Sequence, residues 1–226
     1  MTVRLVCSSK ATDEFEAEGL ENLQDLIAFC AKVSNPSAQI NHDTSERLIK
    51  YLIKHQHWSP LEMVNATLEI NTTRDIAHQV VRHRSFAFQE FSQRYANPEE
   101  MGDMFVIREA RLQDTKNRQN SVEVDADEDI HHAWASVQQG VIDKAKEAYD
   151  WAIASGIAKE QARVVLPEGL TKSRLYMQGS IRSWIHYIEL RGANGTQKEH
   201  MEIAHACAKV IVEIFPLMKD LRQLKQ

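Results

Sequence analysis

The sequence predicts an α+β fold, a small antiparallel sheet with several long helices, as a single domain over residues 1–226. Three observations carry this. Helical periodicities outnumber strand-like stretches and do not interleave with them in βαβ order, which argues against a parallel sheet. Residues 64–70 alternate apolar and polar side chains strictly, the pattern of a strand with one buried face. No repeat, low-complexity linker or composition shift divides the chain, and 226 residues suit one large domain.

Taken in order, Val3, Leu5 and Cys7 alternate with Arg4 and Val6, a short strand with one side only partly polar. Leu23, Leu26, Ile27 and Cys30 recur at helical spacing. That helix stops near Asn35 and Pro36, because proline disfavours a helical residue before it. Asp43, Thr44, Ser45 and Glu46 read as a capping box ahead of Leu48, Ile49, Leu52 and Ile53 on one face. After the strand at 64–70, Thr72 or Thr73 caps a helix that buries Ile76, Ala77, Val80 and Val81 and carries His78, Gln79 and Arg82 elsewhere. Residues 104–107 predict a strand, and 111–129 a polar, mobile loop. Its acidic run at 125–129 suits the start of the next helix, where the macrodipole favours negative charge. Trp134, Val137, Val141, Ala145, Ala148 and Ala152 give that helix an apolar face up to about Gly156. Two helices follow Pro167, at 175–190 and 198–219, with Pro216 disturbing the last turn.

Composition narrows the function. A net charge of -5 leaves no global electrostatic footprint for nucleic acid, so any basic groups that matter are local. No apolar run approaches the ~20 residues of a membrane span, and the first ten residues lack the core of a signal peptide. Cys7, Cys30 and Cys207 are widely spaced and form no CxxC pair, which predicts reduced thiols in a cytoplasmic protein. The 10 histidines match no metal-ligand spacing, and neither GxGxxG nor a P-loop occurs, so no metal is expected and the usual nucleotide cradles are absent.

Residues 82–95 (Arg-His-Arg-Ser-Phe-Ala-Phe-Gln-Glu-Phe-Ser-Gln-Arg-Tyr) stand apart. Three arginines, a histidine, a carboxylate and two hydroxyls are punctuated by three phenylalanines. Neither a solvated face nor a core strand needs that mixture, but a pocket wall for an anionic, planar ligand does. In an extended segment Glu90, Ser92 and Arg94 share a side. A carboxylate, hydroxyl and guanidinium there can hold a phosphate and fix a sugar. Simpler readings stand beside this one. Arg82, His83 and Arg84 at a helix end also complement its dipole, and Glu90 also suits an ion pair with Arg82 or Arg94. A single-stranded nucleic-acid-binding surface built on residues 82–94 is the non-enzymatic alternative.

The same stretch resembles the signature of the flavin-dependent thymidylate synthases: Arg-His-Arg, seven residues, Ser, with Glu two before and Arg two after that Ser. Residues 57–62 (His-Trp-Ser-Pro-Leu-Glu) resemble the family's His-x-[Ser/Thr]-Pro-x-Glu element, with Met63 where many members carry another His. Residues 162–167 (Ala-Arg-Val-Val-Leu-Pro) match Ala-Arg-x-x-Leu-Pro, and residues 182–191 match the helix that ends in the family's catalytic Arg. Within that helix Ile181, Trp184, Ile185 and Ile188 form a core stripe beside a polar ridge of Arg182, His186 and Glu189.

What the resemblance implies is reductive methylation of dUMP to dTMP, with FAD as cofactor, methylenetetrahydrofolate as carbon donor and NADPH as reductant. Arg191 corresponds to the catalytic residue, although Gly192 and Gly195 also let it be read as a helix-terminal cation. Arg82, His83 and Arg84 resemble the FAD-binding triplet, with Ser59 reaching the flavin of a neighbouring subunit and Glu90 beside it. Ser180, Arg182 and His186 correspond to flavin contacts, Ser180 and His186 standing where some members have Asn. Gln79, Arg82, Glu90, Ser92, Gln93, Arg94, Arg163 and Arg191 correspond to dUMP contacts. The family assembles as a homotetramer with sites shared between subunits, and the resemblance implies neither a nucleic-acid nor a membrane partner. The thiols fit no cysteine-nucleophile mechanism: none follows a proline.

Overall fold

The computed structural model describes residues 1–125 and 129–220. Strand β1 (Thr2–Ser8) is followed by α1 (Asp13–Ala17), α2 (Leu23–Ala31) and α3 (Ser45–Lys54). Next come β2 (Asn65–Thr73), α4 (Arg74–Val80) and β3 (Ala87–Glu90), then the short strands β4 (Arg111–Gln113) and β5 (Ser121–Glu123). Helices α5 (Asp129–Ala154) and α6 (Lys159–Ala162) lead to β6 (Lys172–Ser180), α7 (Ile181–Arg191) and α8 (Lys198–Ile214).

The main sheet has the order β1-β2-β6-β3, every pair antiparallel, and β4 and β5 pair separately. Its apolar residues alternate as a half-buried sheet requires. Leu68 lies opposite Met177 and Ile70 opposite Leu175, all on one buried face. Against that face pack Ile27, Ile49 and Leu52 of α2 and α3, Trp184 and Ile185 of α7, and Ile203, Cys207 and Ile211 of α8. The expected stripe of Ile181, Trp184, Ile185 and Ile188 is buried throughout. Trp184 also donates from Nε1 to the Ala66 carbonyl at 3.1 Å, tying α7 to β2. The sheet's other face is polar. Glu69 is buried there and accepts from Arg4 at 2.8 and 2.9 Å and from Tyr176 at 3.1 Å. The Arg4 guanidinium, chief among those donors, outweighs burial and holds Glu69 down to about 2. A second, smaller cluster joins Tyr149 and Ala152 of α5 to Met104, Ala162 and Leu166.

Several expectations are corrected. Residues 172–180 are β6, one of the sheet's two inner strands, and the helix predicted from 175 starts only at Ile181. Ser173, Leu175, Met177 and Gly179 face inward with a period of two, and neighbours on both edges satisfy the backbone. Thr44 makes no side-chain cap, so the capping box at α3 does not form. Thr73 stands at the N-cap of α4, but its hydroxyl donates to Asp75 rather than capping the backbone. Only Phe105, bridged to Thr171, is strand-like within 104–107. The polar segment holds the β4–β5 hairpin, and its acidic run lies partly outside the described residues. In α5 the core face is Gln138, Ile142, Ala145, Tyr149 and Ala152, so the predicted stripe is rotated and Trp134, Val137 and Val141 are exposed. Helix α8 ends at Ile214, ahead of Pro216, instead of continuing to 219. Among the described residues no helix is long and apolar enough to cross a membrane, and no cluster is arranged to hold a metal ion.

Candidate active site

Three networks hold the predicted residues. The first lies where α4 ends against α7 and α8. The chain turns sharply after Val80, so His83 folds back beneath α7 while Arg82 and Arg84 stay exposed. Arg191, in the last turn of α7, donates from Nε to His83 Nε2 at 2.9 Å. That bond makes Nε2 an acceptor, so the His83 ring is neutral with its proton on Nδ1. Its edge meets Tyr187 at 4.9 Å between centroids, and His200 lies at 6.2 Å. Gln79, one turn earlier on α4, faces His200 Nδ1 at 3.3 Å and donates to Gln197 at 2.8 Å.

Electrostatics agree with this geometry. Burial, then the Arg191 and Arg82 cations, lower His83 to about 4. Burial, then Arg191 and His83, lower His200 to about 4 as well. Burial pushes the Tyr187 phenol far above its ordinary value, so it stays protonated. Both histidines titrate below the 6.5 of a free imidazole, so the stability gained by keeping them neutral is whole above pH 6.5 and is lost as pH falls toward about 4. Melting temperature should therefore decline on acidification through that window, before the depressed carboxylates Glu62 and Glu199 titrate below 4.5. A melting temperature that held constant from pH 6.5 down to 4 would show that neither ring resists protonation.

The second network opens α7. Ser180 caps the helix, accepting from the Ser183 backbone N–H at 3.2 Å, and its hydroxyl also donates to Glu62. Arg182 donates to the other Glu62 oxygen at 2.5 Å, while its Nε is buried without a partner. Burial alone would raise the Glu62 carboxyl, but Ser180, Arg182 and His186 together outweigh it and lower the pKa. His186 is exposed and meets Trp58 edge-on at 4.6 Å, beside the exposed Ser59 at the start of the turn Ser59–Glu62.

The third network follows β3. Arg94 pairs with Glu160 at 3.6 Å, and Arg163 donates to the Glu160 carbonyl at 3.3 Å. The strand stops at Glu90, and residues 92–96 turn, with the Tyr95 N–H bonded to the Ser92 carbonyl at 3.1 Å. Glu90, Ser92 and Arg94 therefore do not share a side as an extended segment would place them. Glu90 turns instead to Ser173 at 2.8 Å and Arg74 at 3.5 Å, not to Arg82 or Arg94. Gln93 is buried, its Nε2 without a partner. Sequence reasoning missed Glu62, although the early element contains it, and it missed Arg74, Glu160, Gln197, Glu199 and His200, which only folding brings near.

A cavity of ≈ 560 Å³ opens beside the first network, lined by Thr73, Arg108, Lys172, Arg174, Glu199 and Glu202. None of the predicted site residues lines it. The exposed arginines, the orphaned Arg182 Nε and the Trp58–His186 wall suit a phosphorylated, aromatic group.

The fold is shared with a solved nucleotide methylase. The structure aligns with TM-score 0.80 to the UMP/dUMP methylase PolB of Streptomyces cacaoi, solved with 5-Br dUMP, at 25% identity over 97% of this chain and 93% of that one. The chain belongs to the flavin-dependent thymidylate synthase family: residues 18–217 match the family model described as thymidylate synthase complementing protein. It is 47% identical over 216 residues to the probable flavin-dependent thymidylate synthase of Paramecium bursaria Chlorella virus 1, covering 96% of each chain. Identity and coverage are the same against the flavin-dependent thymidylate synthase of Synechocystis sp..

Proposed function

We propose that this chain, as one catalytic domain over residues 1–226, methylates dUMP to dTMP, using FAD, methylenetetrahydrofolate as carbon donor and NADPH as reductant. The observation that carries this reading is Arg191 held by His83 inside the Arg-His-Arg turn. The bond engages Nε, so the remaining N–H groups of the planar fork are the ones to meet a uracil edge. There they favour negative charge at N3 and its neighbouring carbonyls, which polarises the ring toward attack. Neutral His83 aims the fork without adding a competing cation.

FAD, when bound, supplies the redox chemistry that no side chain here can. Arg82, His83 and Arg84 would hold its phosphates, Arg182 and His186 its ring and ribityl part, and Ser59 and Ser180 its polar edges. On the nucleotide, Ser92, Arg94 and Arg163 would take the phosphate, with Glu90 on the sugar and Gln79, Arg82 and Arg191 on the base; Gln93 supports that loop from inside. A homotetramer with shared sites completes the pocket, and the exposed Trp134, Val137 and Val141 of α5 suit a subunit interface. The free thiols fit a cytoplasmic setting.

The test is flavin absorbance of the purified protein with FAD and then dUMP. A bound band that shifts on adding dUMP, followed by NADPH-dependent dTMP formation, is expected. No flavin uptake from excess FAD by the intact oligomer overturns the proposal, and salt-sensitive binding of single strands would then favour a nucleic-acid surface. Ser92→Ala should weaken dUMP binding roughly tenfold, the loss of one hydrogen bond to a charged phosphate. Flavin uptake should not change. An unaltered dUMP titration would remove Ser92 from the phosphate site.

A further inference from the structure

A chain of hydrogen bonds leads from the β4–β5 hairpin into the first network, and its direction is set at one end. Glu199, buried in the first turn of α8, accepts from Arg111 on one oxygen and from Gln197 Nε2 on the other at 2.9 Å. A carboxylate donates nothing, so Gln197 must present its NH₂ to Glu199. Its carbonyl oxygen is then left to accept from Gln79 Nε2 at 2.8 Å. That in turn points the Gln79 carbonyl oxygen at His200 Nδ1, 3.3 Å away. A carbonyl only accepts, so Nδ1 carries the proton and Nε2 is bare. The buried, partnerless Nε2 agrees, because a lone pair left there is tolerated better than an orphaned N–H. Reversing the chain would need a protonated Glu199 against the Arg111 guanidinium.

We infer that Glu199 is a positioning residue: acting through Gln197, it sets which way the Gln79 amide faces and which ring nitrogen of His200 is protonated. Gln79 keeps one N–H and one carbonyl lone pair beyond this chain, and both are offered in a single orientation. The consequence for substrate rests on the reading of Gln79 as a dUMP contact. The consequence for His200 does not. That ring lies 5.8 Å from Tyr187 and 6.2 Å from His83, so its protonation state is felt where His83 holds Arg191.

The experiment compares FAD-loaded wild type with Glu199→Gln, whose amide can donate or accept and so frees the chain to run either way. Nitrogen NMR of ¹⁵N-histidine-labelled protein should show His200 as one Nδ1–H tautomer in wild type and as a mixture in the variant. The dUMP affinity, read from the flavin absorbance shift, should fall about tenfold with FAD content unchanged. Gln197→Met leaves the Arg111–Glu199 pair intact and should give the same result if Glu199→Gln fails to fold. An Nε2–H tautomer in wild type, or variants with wild-type tautomer and affinity, overturns the inference. A wild type that takes up no dUMP overturns the functional reading instead, while the tautomer measurement still decides the direction of the chain.

Discussion

Arg191→Ala should bind FAD and fold normally yet lose dTMP formation by about 10³-fold, the scale seen when one preorganised donor to developing charge is removed. The helix end does not depend on the side chain, because the Gly192 N–H closes onto the Ile188 carbonyl at 2.8 Å regardless. What disappears is the donor at His83 and the fork beyond it. A second readout follows from the same geometry. Arg191 is one of the cations that hold His83 near 4, so its removal should let His83 titrate higher. Arg191→Lys keeps the charge but not the fork, and should recover little activity. Rate, flavin content and histidine titration together separate loss of chemistry from loss of fold. A wild-type rate in Arg191→Ala would remove this residue from the mechanism.

Gly179→Ala should cost about 3 kcal/mol, a fall of roughly 6–12 °C in melting temperature for a chain of this size. A Cβ at Gly179 would stand 2.4 Å from Phe86 Cδ1 and 2.6 Å from Cε1, closer than atoms can come. Restricting the unfolded chain would return only ~0.4–1 kcal/mol, so the clash decides the sign. Phe86 cannot yield cheaply, because its ring packs edge-on against Trp184 at 4.8 Å and against Tyr187 at 5.9 Å. The ring lies two residues beyond Arg84, so its displacement should drag the Arg-His-Arg turn and weaken flavin uptake as well. A variant with unchanged melting temperature and flavin uptake would refute the packing argument.

Much of this was legible in the chain because it is local. The alternation that marks β2, the α7 stripe and the Arg-His-Arg turn all depend on residues within a few positions of one another. What failed was long-range. Residues 172–180 contain Leu175 and Met177 just ahead of a genuine helical stripe, and only pairing with β2 and β3 makes them a strand. In α5 two apolar stripes compete, and the choice between them falls to packing against Met104 and Leu166. Glu62 is 120 residues from Arg182, and Glu199 is 88 from Arg111, so no local pattern announces either pair. Glu90 illustrates the same limit: its expected partners are neighbours in sequence, whereas Ser173 and Arg74 are neighbours in the sheet.

The proposed sharing of sites between subunits has a genetic corollary. We propose that each shared pocket takes its Arg191 and its Arg94 from different subunits. Two dead proteins, one lacking each arginine, should regain part of their activity when co-expressed, since some mixed pockets then inherit both intact halves. A single dead subunit in an otherwise healthy tetramer would not be a silent passenger. It would spoil the pocket that needs its missing arginine and still serve the pocket that needs only its other one.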